Sequence, residues 1–361
     1  MEQNEVSRIG LLSVCNQAKA ALASQAYIPA LTHFCFDGVN VMAYNDISAI
    51  MVQSPLDVEA CIPGELLIKA LNSLTADKVL VQKGDGFFTL ASGRSKLKIP
   101  HLPVTDFPFE TPPESDNPIK ITPEILKGIE MCLVAVGNDA THPAQMGVTM
   151  ESDKNGAVLF STDNFTLSRY VTKSKIKLPA DVPVILPTFF CQQMIGLAKA
   201  YPGEAILLDV LAGSLTASIG DVAKVFTKQL VDLEAMDFAK ILNKYKIDAA
   251  LGIDGSLVSI PDDFDASFSR ALLILGSELD KITKITVKGG RMSLVSTSAA
   301  GESTDSFGYP DKEVSDEPFY ADPVLVGRAS KVCSKMALLE RVIVFTDSEA
   351  TFVHVIAHCT K

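Results

Sequence analysis

The chain has 361 residues, of which 47% are hydrophobic, and a formal charge of -11. Its length exceeds one ordinary core and suits two or three domains; it contains no eighteen-residue apolar run and no basic segment ahead of an apolar core in MEQNEVSRIG, which argues against a membrane span or signal peptide and predicts a cytoplasmic protein. The acidic sum disfavours a polyanionic partner unless the cations gather on one surface.

Residues 7–23 read as a first helix with Leu11, Val14, Cys15, Ala18 and Leu22 as its apolar stripe and Arg8 and Lys19 in one row on its flank. A hairpin and a third strand follow at 31–36, 41–44 and 47–52, joined by an Asp37-Gly38 turn and an Asn45-Asp46 corner. The stretch 63–93 then sets a pattern that returns later. Pro63 suits a first helical turn, and Leu67, Leu71 and Leu74 fall at helical spacing. The period switches to strand at 79–82 and 87–91 around Gly84-Asp85-Gly86. Prolines and acids from Pro103 onward mark a linker.

Thr122-Pro123 supplies an N-cap and a first-turn proline for a helix over 124–136. Residues 147–151, 157–161 and 167–171 again give a hairpin and third strand, with a Thr162-Asp163-Asn164 corner. Residues 187–219 restate the helix-and-strands unit through Phe190, Met194 and Leu197, then strands over 205–210 and 215–219. Beyond residue 247 a fifth helix is predicted over 262–274, with strands over 285–288, 291–296 and 303–307. Residues 323–356 carry the unit a third time, with Leu325, Ala329, Val332 and Met336 as a helical stripe before strands over 341–345 and 350–356. A threefold repeat of paired half-domains follows, with domains expected over 1–117, 118–246 and 247–361.

Arg328, Lys331 and Lys335 are spaced i, i+3 and i+7, so on one helix they would share a face beside that stripe. Lys69, Lys127, Lys199 and Arg270 fall on other predicted helices, while acids concentrate in 106–116, 262–265 and 302–316. Seven cysteines without C-x-x-C spacing read as reduced thiols rather than a disulfide frame or zinc site. The chain has no phosphate-binding loop, G-x-S-x-G elbow or dinucleotide fingerprint, and its five histidines lack metal-ligand spacing on a helix, so no catalytic residue, metal or cofactor is expected. Asp163 suits an Asx turn better than a carboxylate dyad.

Four stretches, GRSKLKIPHLPVTDFP (93–108), GVTMESDKNGAVLFSTDNFTLSRYV (147–171), FTKQLVDLEAMDFAKIL (226–242) and RALLILGSELDKITKITVKGGRMSLVS (270–296), together with the repeat, resemble the bacterial sliding clamps, the beta subunits of the replicative DNA polymerase. The resemblance implies an α+β DNA clamp fold. Three topologically similar domains would each have two helices backed by antiparallel sheets, and a head-to-tail homodimer would close a ring with the helices lining its hole. It implies a non-catalytic processivity factor that encircles double-stranded DNA and tethers the replicative DNA polymerase, the clamp loader and other clamp-binding repair proteins.

By the same resemblance the bore would be lined by Arg8, Lys19, Lys69, Lys127, Lys199, Arg270, Arg328, Lys331 and Lys335. A cleft for partner peptides would be built by Thr162, Asn164, Phe165, Thr166, Leu167, Met236, Lys240, Ile241, Val355 and Ala357. Phe165-Thr166 stands where the family commonly has His-Arg, Asn164 replaces a glycine and Met236 a proline; the tail His358-Cys359-Thr360-Lys361 is not Met-rich. The loop 138–144 lacks the aromatic and arginine residues that contact DNA in the family. Phe165, an aromatic face in place of the family's histidine, would favour apolar and aromatic anchors in the incoming peptide. The competing reading is a clamp-like scaffold that binds proteins without encircling DNA.

Overall fold

Six times among the described residues, a short strand leads into a helix. The computed structural model describes residues 3–154, 156–229, 235–244, 257–276, 278, 281–310 and 317–359. The expected domain start at 247, part of the acidic stretch 302–316, and Thr360 and Lys361 lie outside the described residues. Gln3–Ser7 leads into α1 (Arg8–Ala18), Glu59–Pro63 into α2 (Gly64–Ser73), Ile119–Ile121 into α3 (Pro123–Cys132) and Val184–Pro187 into α4 (Thr188–Ala200). After α5 (Phe238–Lys244), Val258–Ser259 precedes α6 (Phe264–Leu275) and Phe319–Ala321 leads into α7 (Pro323–Ser330).

Local chemistry sets these entries. Ser7 Oγ accepts from the Gly10 N–H at 3.1 Å and Asp322 Oδ1 from the Val324 N–H at 2.7 Å, both as N-caps. Pro123 and Pro323 open their helices as expected, but Pro63 and Pro187 close the preceding strands instead. Both strands lie at a sheet edge, where the missing N–H of a proline is tolerated.

The chain falls into two compact units, Met1–Thr122 with Phe189–Asp232, and Pro123–Thr188 with Leu233–Lys361. In the first, a four-stranded antiparallel sheet runs Gln3–Ser7, Lys78–Lys83, Phe87–Ser92, Ser95–Pro100. An eight-stranded sheet runs Glu59–Pro63, His33–Asp37, Asn40–Tyr44, Ser48–Gln53, then Ala223–Lys228, Ser214–Ile219, Ile206–Leu211, Ile119–Ile121. Its halves come from distant parts of the chain and meet at a seam where Ser48 pairs with Thr227 and Val52 with Ala223. The hydroxyls of Ser48 and Thr227 lie buried there, 3.0 Å apart. The expected linker is packed rather than loose. Phe107 is buried, Lys224 Nζ meets Glu114 Oε1 at 2.7 Å, and Ser115 Oγ donates to the buried Asp209 at 2.5 Å.

The second unit repeats this plan. Its eight-stranded sheet runs Val184–Pro187, Gly147–Asp153, Gly156–Thr162, Thr166–Val171, then Phe352–Ala357, Val342–Thr346, Lys335–Leu338, Val258–Ser259. Its four-stranded sheet runs Gly301–Gly308, Arg291–Ser298, Thr283–Lys288, Phe319–Ala321. α3 lies so close to its sheet that a Cβ on Gly128 would come within 2.5 Å of Leu159 Cδ1 and 2.6 Å of Tyr170 Cδ1. Phe264, Phe268, Phe307 and Phe345 centre the core beneath α6 and α7.

Three expected helices are shorter than their patterns: α3 ends at Cys132 and continues only as the tight turn Leu133–Ala135. α1 ends at Ala18 and continues only as the tight turn Lys19–Ala21. α7 ends at Ser330, and Lys335 opens a strand in which Lys335 faces Thr346 and Met336 faces Phe345. Lys-Met-Ala-Leu is a good helical sequence, but the β-branched run Val342–Thr346 offers it a ladder, and that pairing overrides propensity. All seven cysteines are thiols, five of them buried. Among the described residues no helix is long and apolar enough to cross a membrane.

Candidate partner cleft and nucleic-acid interface

The corner between Gly156–Thr162 and Thr166–Val171 is built by local hydrogen bonds. Asp163 Oδ1 accepts from the N–H groups of Phe165 (3.0 Å) and Thr166 (2.6 Å) and from Thr166 Oγ1 (2.9 Å), an Asx turn. Asn164 takes φ 72°, a left-handed conformation that asparagine tolerates, and its Oδ1 accepts from Gln145 Nε2 at 2.8 Å. Thr162 Oγ1 donates to the Thr166 carbonyl at 2.6 Å. The corner holds Phe165 outward, 66% exposed, while the Ala357 N–H donates to the Phe165 carbonyl at 2.8 Å.

Across the seam Leu167 faces Val355. Both belong to an apolar cluster with Phe160, Phe238, Leu242 and Val344, against which Met236 and Ile241 pack half-buried. α5 lays Phe238 flat on Phe160, with centroids 4.4 Å apart and planes at 7°. Asp237 Oδ1 accepts the Lys240 N–H at 2.9 Å, and Lys240 is exposed on the same helix. Nearby, burial and then the charge of Asp237 push up the pKa of the half-buried Glu151.

The ten residues expected at a cleft therefore gather at one seam, but at different depths. Thr162, Thr166, Leu167 and Val355 are buried; Met236, Ile241 and Ala357 are intermediate; Asn164, Phe165 and Lys240 are exposed. Sequence reasoning missed the stacked floor, Phe160 on Phe238. The usable signals were the strand alternation that places Phe160 inward and the i, i+4 spacing of Phe238 and Leu242.

The nine expected cations divide differently. Arg8 Nε donates to the Ala76 carbonyl at 2.9 Å and its Nη1 to the Leu71 carbonyl at 3.3 Å, so it caps the C-terminal end of α2. Lys69 pairs with Glu65 at 3.3 Å, and Arg270 is held by Asp305 at 2.6 Å. Lys335 is half-buried on its strand, with Nζ 3.4 Å from the Ser348 carbonyl. The expected row on one helix thus reduces to Arg328 and Lys331, in the last turn and C-cap of α7, because the helix ends before Lys335. Lys19, Lys127, Lys199, Arg328 and Lys331 are exposed. Lys19 and Lys69 line one cavity of about 500 Å³ together with Leu22, Glu65 and Leu66. In the loop 138–144, hydrogen bonds from the N–H and hydroxyl of Thr141, then His142, hold Asp139 down to about 2, which leaves an anion there.

No protein-family model matches this chain. It is 23% identical over 276 residues to the Beta sliding clamp of Vibrio cholerae serotype O1, a stretch covering 75% of this chain and 66% of that relative, just under two thirds of its length. In structure it is similar to the DNA polymerase III beta subunit of Thermotoga maritima, with a TM-score of 0.81 and 18% identity over 99% of both chains. It is also similar to a DnaN sliding clamp (DNA polymerase III subunit beta) from Bartonella birtlesii bound to griselimycin, with a TM-score of 0.85 and 16% identity over 99% of this chain and 100% of that one.

Proposed function

We propose that this chain, whose fold is that of the bacterial DNA polymerase III beta sliding clamps, is a non-catalytic cytoplasmic processivity factor. It forms a homodimeric ring around double-stranded DNA and tethers the replicative DNA polymerase, the clamp loader and repair proteins through the Phe165 cleft. Two open strand edges carry this reading. Each four-stranded set ends in a third meander strand, and at both seams two such strands meet: Ser48–Gln53 with Ala223–Lys228, and Thr166–Val171 with Phe352–Ala357. Among the described residues, Ser95–Pro100 and Gly301–Gly308 are the third strands that have no such neighbour. The first exposes Lys96 and Lys98 after Arg94; the second exposes Glu302 and half-buries Asp305. Head-to-tail contact with a second copy joins edges of opposite charge, covers both, and closes at two chains. Domains over 1–117, 118–246 and 247–361, two sets in each, then give the ring six sectors.

A ring is retained by topology, so each phosphate contact can be weak and the net charge acidic, provided that the hole is positive. Lys19, Lys127, Lys199, Arg328 and Lys331 are its exposed candidates. The neutralisation of Lys69 by Glu65 and of Arg270 by Asp305 favours a second reading, a protein scaffold that does not encircle DNA.

The two are separated by threading the protein onto linear duplex, blocking both ends with streptavidin on terminal biotin, and raising the salt. A ring stays on the blocked duplex at salt that strips it from open duplex, and leaves when the DNA is cut. The double variant R328E/K331E weakens binding to open duplex without changing the oligomeric mass. Loss from blocked and open DNA at one rate overturns encirclement and leaves the scaffold.

A further inference from the structure

The two sheet seams match residue for residue. In the first, Asn45 Oδ1 accepts from the N–H groups of Ile47 (3.1 Å) and Ser48 (2.8 Å), Asp46 has φ 76°, Ile47 is 60% exposed, and the Lys228 N–H donates to the Ile47 carbonyl at 2.8 Å. In the second, Asp163, Asn164, Phe165 and Ala357 hold the same places with the same bonds. The registers Ser48 with Thr227 and Thr166 with Ile356 then equate Tyr44 with Thr162, Ala49 with Leu167 and Phe226 with Val355.

The seams differ in what lies on these positions. Phe109, from the acidic linker, sits half-buried with its ring 4.9 Å from Tyr44 and 5.3 Å from Phe226. It therefore covers the counterparts of Thr162 and Val355. The ring that α5 contributes to the second seam, Phe238, packs on Phe160, whose counterpart is Met42, and Phe165 stays open. The first seam also has a cation at its rim: Lys228 Nζ lies 3.2 Å from Asp46 and 5.7 Å from the centre of the Tyr44 ring. Asp106 and Glu110 are exposed on either side of the Phe107-Pro108-Phe109 run.

We infer that the first seam is a second pocket for a short peptide with an aromatic anchor and flanking acids, and that the chain's own Phe109 occupies it in cis, leaving only the second seam open to partners. The choice of probe rests on the cleft reading of the second seam; the test separates the two. A capped synthetic peptide of residues 105–111, TDFPFET, is titrated calorimetrically into the full-length parent, F109A and F109A/I47E, with folding followed by thermal melt. The parent takes up one peptide per chain, F109A takes up two, and the added site disappears in F109A/I47E. An F109A that binds no more peptide than the parent overturns the inference, whatever number the parent binds. A parent that binds none beside an F109A that binds one upholds it and overturns the cleft reading of the second seam. F109K, whose charged end reaches solvent while its ring is gone, replaces F109A if the alanine variant melts, and is read in the same way.

Discussion

His354 stands in the strand that closes the second seam, 1% exposed, with Nδ1 2.8 Å from Ser168 Oγ and its ring stacked 6.3 Å from Phe352. Burial lowers its pKa to about 4. The unfolded chain takes up this proton near the ordinary value of about 6.5, the folded chain only near 4. The contribution of the neutral ring to stability is therefore whole above pH 6.5, declines as the pH falls between these values, and is lost below about 4. Its size is on the order of 3 kcal/mol. Urea midpoints at neutral and mildly acid pH measure it. The parent should lose more stability on acidification than H354Q, which keeps a polar partner for Ser168 without titrating. Equal losses would assign the acid sensitivity to other groups.

Among elements, the proposed cleft is a strand seam over a packed floor, and this separates two effects that a single substitution would confuse. Leu167 and Val355 are each 5% exposed, so L167A removes core volume at a cost of about 2–5 kcal/mol and lowers the melting temperature before it reports on partners. Phe165 is 66% exposed; F165A should keep the parent's stability within about 0.5 kcal/mol and weaken an aromatic-anchored peptide by about 1–3 kcal/mol. Melts and peptide titrations of the two variants check both halves, and unchanged peptide affinity in F165A would move the partner site away from this corner. The corner was legible in sequence because its hydrogen bonds run between neighbours, Asp163 to Phe165 and Thr166. Most meander strands were legible because they alternate or run apolar between turn residues, but Ser95–Pro100 and Ala223–Lys228, each interrupted by two lysines, were not predicted. Ile119–Ile121 was not, since three residues cannot display a period. Lys335–Leu338 was misread because strand pairing with a distant segment decides its state. The charges were hardest: that Asp305 would hold Arg270 depends on a contact between a helix and a strand that no local spacing encodes.

At the scale of the whole molecule, both seams join strands that are antiparallel and buried, and the same geometry is left unfinished at Ser95–Pro100 and Gly301–Gly308. An exposed edge invites pairing with any other chain, and a contact between unlike edges either closes into a ring or propagates as a filament. In the proposed ring, Lys96 and Lys98 on one edge and Glu302 on the other would select the unlike partner over the like one, because two basic edges or two acidic edges repel. Exposed ion pairs contribute only about 0.2–1 kcal/mol each, so in the proposed ring the charges would choose the pairing and the strand ladder would supply most of its strength. The parent should run at about twice the chain mass by light scattering at micromolar concentration. The double reversal K96E/K98E should shift that mass toward a single chain, most clearly at low salt where screening is weak, while leaving the melting profile cooperative. Adding E302K to the double reversal restores opposite charges across the contact and should restore the doubled mass. That recovery distinguishes edge pairing from misfolding, since a third charge change in a damaged domain has no reason to repair it. A double reversal that keeps the parent mass, or a triple variant that stays at one chain, would remove these two edges from the proposed ring.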